Sequence, residues 1–207
     1  GMVMSHSTLA NRAHDPPNKH DIFSSFKGPL ITELAQHFAM RWNHARREDA
    51  NLFDATRSSD ITEDSTQHIA SGHAGHTHAS LHRTVAPGLY GPYPRGCTEI
   101  WDAYREAIQN AKDFIYIENQ HPGEEAILGD LLAALERGVE VLYIVPGEPM
   151  MAIAHERARY ERVLQRKELP SRYTATFRAL GELVRFENFT FAKLVANGHE
   201  IYVHAKI

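Results

Sequence analysis

Residues 200–207 read Glu-Ile-Tyr-Val-His-Ala-Lys-Ile. A β-strand sends successive side chains to opposite faces, so Tyr202, His204 and Lys206 share one face. Ile201, Val203, Ala205 and Ile207 share the other, which has the composition of a packing face. An imidazole and an ammonium held side by side by an apolar strand suit an anion. Imidazole has an ordinary pKa near ~6.5, so it can act as nucleophile, acid or base near neutrality. The competing reading is an exposed strand face carrying polar residues, as such faces do. A second polar group, Glu118-Asn119-Gln120, follows the apolar run at 114–117. Ligands gather at the carboxyl ends of strands in open α/β sheets, where loops and helix N-termini converge. The alternative is a strand end meeting solvent.

Elements to position these groups can be read from periodicity. The runs 114–117 (Phe-Ile-Tyr-Ile) and 139–146 (Val-Glu-Val-Leu-Tyr-Ile-Val-Pro) read as strands buried on both faces. Between them, Ile127, Leu131 and Leu135 align on a helix over about 124–137 that Gly138 ends. Strand, helix and strand at this spacing make a β-α-β unit with parallel strands and a right-handed crossover. Thr98 is placed to cap a preceding helix with apolar positions at Ile100, Ala103, Tyr104, Ala107, Ile108 and Ala111. Residues 150–180 read as charged and mostly helical, and 183–191 as a strand. Asn197-Gly198 is a two-residue hairpin signal that folds 191–195 back against 200–207.

Upstream, Pro29 sits where a helix can start, and Leu30, Leu34, Phe38 and Trp42 form a stripe on a helix ending near Arg47. That stripe is expected to be core, with Trp42 and Trp101 as packed anchors. Residues 80–85 read as a short strand. Residues 48–80 are polar and without periodicity, a long loop or disordered insert. Residues 1–19 read as a loose arm, and Gly1-Met2 as a tag remnant ahead of a start methionine.

Composition narrows the function classes. The 207 residues are 43% hydrophobic, enough for a core, and carry a formal charge of −4. That charge gives no bulk attraction to nucleic acid or to an anionic membrane. Lys and Arg in 155–172 are interleaved with Glu, a mixed charged face. Cys97 is the single cysteine, which excludes an internal disulfide and a cysteine-based metal site. No apolar run is long enough to cross a membrane, and residues 1–20 hold no signal-peptide core. His73, His76, His78 and His82 could ligate zinc, copper or nickel, but small flexible residues flank them. A solvated histidine-rich loop is the preferred reading, with no metal site.

Several segments in order carry a family resemblance. "FIYIENQ" follows "IWDAYREAIQNA", and "RGVEVLYIVP" and "IYVHAKI" come after it; upstream lie "HDIFSSFKGPLITELAQHFAMRWN" and "SLHRT". Together they resemble the eukaryotic-like branch of the phospholipase D superfamily over most of residues 20–207, with a gap at 48–78. The resemblance implies an α/β/α sandwich built in two pseudo-twofold halves. Each half carries a His-x-Lys-(four residues)-Asp motif, and the two histidines share one cleft. One attacks phosphorus to form a phosphohistidine. The other protonates the leaving alcohol and then activates water or a second alcohol. The lysines neutralise phosphate oxygens, and no metal or other cofactor is required.

On this resemblance His204 and Lys206 match the start of the second motif, His204 taking the acid–base role. Glu118, Asn119 and Gln120 are substrate-binding candidates that either orient a ring nitrogen or meet the phosphate edge. The motif's Asp and the first His-x-Lys-(four residues)-Asp motif are absent from the 207 residues. The expectation is a piece of a longer chain: a flexible arm at 1–19, a linking helical segment at 20–47, a polar loop at 48–79 and a partial α/β domain at 80–207. The parent would hydrolyse phospholipids to phosphatidate and a headgroup alcohol at a membrane surface, in the cytoplasm or peripherally bound. The isolated chain would be inactive, because the half-site with the first motif and the end of the second motif are missing from it. The alternatives are a degenerate, non-catalytic interaction module and a phosphodiesterase of non-lipid substrates.

Overall fold

The structure is a computed structural model that describes residues 2–5, 19–22, 24–48, 59–67, 76–120, 124–146, 165 and 174–205. The chain divides into two compact units, Gly1–Phe23 with Tyr104–Ile207, and Ser24–Ala103.

The larger unit is a mixed α/β structure. Strand β5 (Phe114–Glu118), helix α4 (Glu125–Glu136) and strand β6 (Glu140–Pro146) form the expected unit, with β5 and β6 parallel. Glu124 caps α4 by accepting from the Ala126 N–H at 3.2 Å. At the other end Gly138 takes a positive φ of 89°, and Asn188 Nδ2 donates to the Leu135 and Val139 carbonyls. A further helix, α5 (Thr174–Leu183), leads to β7 (Phe189–Ala196), which pairs parallel to β6. Asn197 and Gly198 both take positive φ, 52° and 77°, and turn the chain into β8 (His199–Glu200), antiparallel to β7. The helices bury Leu128, Leu131, Leu135 and Leu183 against Val141 and Tyr143 of β6. Each leucine buried this way contributes roughly 1.5–3 kcal/mol.

The chain then changes partner. Strand β9 (Tyr202–Val203) pairs in parallel with β2 (Lys19–Ile22), which pairs antiparallel with β1 (Met2–Ser5). The stretch from β8 to Ala205 thus runs beside β7 first and beside β2 next. Its alternation is as read: Ile201, Val203 and Ala205 are 4%, 0% and 1% exposed, while Tyr202 and His204 are half-buried and stack at 6.1 Å.

In the smaller unit, α1 (Leu30–Glu48) is tied to residues 59–61 by reciprocal bonds between the Asn43 amide and the Ile61 backbone, both 2.9 Å. Helix α2 (Glu63–Gln67) follows, and β3 (Thr84–Val85) pairs with β4 (Cys97–Thr98). Helix α3 (Glu99–Asn110) continues into the larger unit. There Arg105 and Gln109 hold Asp130 of α4, and the Arg105 hydrogen bond keeps the Asp130 carboxyl below its usual range.

Several expectations need correction. Residues 183–191 are not one strand: Leu183 closes α5 in the core, residues 184–188 turn, and β7 begins at Phe189. Strand β5 is not buried on both faces. Phe114 and Tyr116 are 53% and 39% exposed, and among the described residues β5 lies at the edge of its sheet order. The stripe on α1 is not core either, since Phe38 is 57% exposed and Ala39 is the buried residue. A strict four-residue repeat drifts roughly 40° per step around a helix, so Leu30 and Trp42 point about 120° apart. The polar stretch at 48–80 contains α2 and the ordered contacts to α1. Met2–Ser5, within the stretch read as a loose arm, is a strand. The strand expected at 80–85 is reduced to Thr84–Val85. Of the helix expected at 150–180, only Gln165 and residues 174–180 fall within the described residues.

Candidate active site

Parallel pairing sets His20 opposite Val203 and so brings Asp21 beside His204. His204 Nδ1 lies 2.7 Å from Asp21 Oδ2, with side chains 43% and 46% exposed. A carboxylate only accepts, so Nδ1 carries the hydrogen. Nε2 is then the ring nitrogen that does not face the carboxylate. Asp21 Oδ1 also accepts from the Ile22 N–H at 3.0 Å, which steadies the carboxylate.

The two backbones are also locked together. The His204 N–H donates to the His20 carbonyl at 2.8 Å, and the Ala205 N–H donates to the same oxygen at 3.1 Å. Two consecutive residues of β2 therefore fix His204, His20 its backbone and Asp21 its ring.

The opposite face of β2 holds a second carboxylate–imidazole pair. His20 Nε2 is 2.7 Å from Glu118 Oε2, with side chains only 5% and 8% exposed. The Tyr116 hydroxyl donates to the other Glu118 oxygen. Burial, this hydrogen bond and the negative charge beside it push the Tyr116 hydroxyl up to about 12, so it stays a donor across the neutral range. His20 Nδ1 is buried and has no hydrogen-bond partner among the described residues. Replacing His20 by alanine removes the partner of a buried carboxyl group and opens a cavity. The expected loss is about 3 kcal/mol of unfolding free energy, read from urea denaturation of the wild-type and His20→Ala chains.

Glu118 is bound to a ring nitrogen, but that of His20, not His204. The Asn119 N–H donates to the Ile144 carbonyl at 3.1 Å, and Asn119 and Gln120 are half-buried beyond the end of β5. Lys206 lies outside the described residues. Sequence reading missed His20 and Asp21 as site residues. The signal was there in an adjacent His-Asp pair on a short extended segment, whose side chains must face opposite ways. What could not be read was that β2 pairs with β9.

Of the histidine-rich stretch, His73 lies outside the described residues, and His82 Nε2 sits 2.8 Å from the Ser80 hydroxyl. Among the described residues no three His, Cys, Asp or Glu side chains cluster as metal ligands. No helix of the described residues is long and apolar enough to cross a membrane.

An imidazole held by a carboxylate on an accessible strand face can pass a proton to and from a bound ester. The curated relatives that match the chain are plant phospholipases D. The chain is 26% identical over 165 residues to phospholipase D alpha 1 of Brassica oleracea var. capitata, spanning 69% of this chain and 20% of that protein. The figures are the same for phospholipase D alpha 2 of Oryza sativa subsp. japonica. For phospholipase D alpha 2 of Arabidopsis thaliana they are 27% over 156 residues, 65% and 18%. These matches support a phospholipase D-like relationship. No family model matches the chain. The chain spans about a fifth of the length of these relatives.

Proposed function

We propose that this chain forms part of a phospholipase D-type phosphodiesterase, with His204 as its acid–base group, in one half of an α/β/α sandwich. The observation that carries the reading is the 2.7 Å contact between His204 Nδ1 and the Asp21 carboxylate, on a half-exposed strand face. The matches to phospholipase D alpha support the same chemistry.

In this mechanism a histidine outside the 207 residues attacks phosphorus. His204, as imidazolium, delivers its Nε2 proton to the departing alcohol oxygen as the P–O bond breaks. Asp21 stabilises that imidazolium and keeps Nδ1 as the donor to itself. The neutral ring then takes a proton from water, whose oxygen attacks the phosphohistidine and frees phosphatidate. Lys206, two residues on along the strand, offsets charge on the phosphate oxygens. The substrate class is a phospholipid, such as phosphatidylcholine.

The test is a protein comprising this chain and its flanking coding sequence, given phosphatidylcholine vesicles. Choline and phosphatidate are expected as products, and added ethanol should divert the lipid product to phosphatidylethanol. Hydrolysis of bis(p-nitrophenyl) phosphate without choline release would move the assignment to non-lipid phosphodiesters. Hydrolysis of neither would leave the degenerate, non-catalytic module.

A further inference from the structure

Glu118 stands at the end of β5, where a substrate-binding carboxylate would be expected, yet it is 6% exposed and bound on both oxygens. One oxygen meets His20 Nε2 and the other receives the Tyr116 hydroxyl. A carboxylate engaged in this way and closed from solvent is poorly placed to meet a phosphate, which it would also repel. Its effect must pass through His20. The His20 carbonyl accepts both the His204 and the Ala205 N–H groups, and the next residue, Asp21, holds the His204 ring.

We propose that Glu118 is a positioning residue for His204: it anchors the His20 ring from the buried face of β2, and that strand in turn sets the backbone and the tautomer of His204 on the other face. Tyr116 completes the anchor by orienting the Glu118 carboxylate. The pairing joins residues 98 positions apart, so it fixes β2 to β5 without any contact to the reacting atoms. The inference rests on the proposed acid–base role of His204 for its consequence in catalysis. The positioning itself does not depend on that role.

The first readout is therefore structural. In the 207-residue chain labelled with 15N-histidine, the ring nitrogens of His204 should report the Nδ1–H tautomer as the dominant neutral form. Glu118→Ala should make it the minor form, because His20 loses its anchor and the Asp21 contact loosens. Glu118→Gln keeps an acceptor for His20 Nε2 and should restore most of the wild-type signal. Asp130→Asn, which removes the charge from the Arg105 contact between α3 and α4 and so weakens it, serves as a control for loss of stability alone and should leave the tautomer unchanged. Where Glu118→Ala does not fold, Tyr116→Phe decides. Tyr116 is 39% exposed and the change removes only a hydroxyl, so the variant is expected to fold, and the tautomer should shift part of the way. The second readout is kcat in the longer active protein, expected to fall on the order of tenfold to a hundredfold in Glu118→Ala with KM little changed.

An unchanged His204 signal in Glu118→Ala, or in Tyr116→Phe where the former does not fold, would overturn the proposal. So would an equal shift in Asp130→Asn. If the longer protein shows no phosphodiesterase activity while the tautomer shifts as expected, the proposed function fails and the positioning stands.

Discussion

In the proposed phosphodiesterase, His204→Ala is expected to lower headgroup release by about a thousandfold or more. The expectation follows from the two proton transfers assigned to one ring. General acid catalysis by a placed group contributes roughly 10²–10⁴-fold, and His204 also acts as the base in the second step. The fold should survive the change. His204 has a side chain 43% exposed, and the packing of its strand comes from Ile201, Val203 and Ala205 on the other face. The N–H bond to the His20 carbonyl belongs to the backbone and remains in the variant. Substrate binding should be far less affected than turnover, because the ring acts on the leaving oxygen in the transition state. The check is kcat and KM for choline release, with circular dichroism to show that the variant is folded. A variant retaining a tenth of wild-type kcat would remove His204 from the acid–base role.

The arrangement around His204 divides labour between two histidine–carboxylate pairs. His204 and Asp21 occupy the accessible face of β2 and β9, where a proton can be exchanged with a ligand. His20 and Glu118 occupy the buried face, where both side chains are less than a tenth exposed. A strand is suited to this because adjacent residues point to opposite sides. His20 and Asp21 are neighbours in sequence yet serve one ring from two directions.

Much of this was legible from local pattern. The alternation at 201–205 gave the correct facing of Tyr202 and His204, because Ile201, Val203 and Ala205 are all buried on the other side of the strand. Asn197 and Gly198 announced the hairpin because both accept positive φ at low cost. The β5–α4–β6 unit was readable because strand, helix and strand each carry their own period. What local pattern could not supply was pairing over long separation. His204 meets Asp21 across 183 residues, and Glu118 meets His20 across 98. Nothing in the residues around either carboxylate specifies its partner. Exposure failed for a related reason. Phe114 and Tyr116 look like core in an apolar run, but whether a strand face is covered depends on its place in the sheet.

The central claim is that the Asp21 carboxylate holds His204 ready for acid–base chemistry. Asp21→Asn tests it most directly. The substitution is nearly isosteric at a side chain 46% exposed, so stability should be unaffected. An asparagine can donate to Nδ1 as well as accept from it, which lets the ring adopt the wrong tautomer and removes the charge that stabilises imidazolium. In the proposed phosphodiesterase, single-turnover choline release from phosphatidylcholine should fall by roughly 10²–10⁴-fold with lipid binding unchanged, the upper figure being that of a serine-protease triad whose orienting carboxylate is neutralised. A rate within twofold of wild type would contradict the account and reduce the His204–Asp21 contact to a surface ion pair.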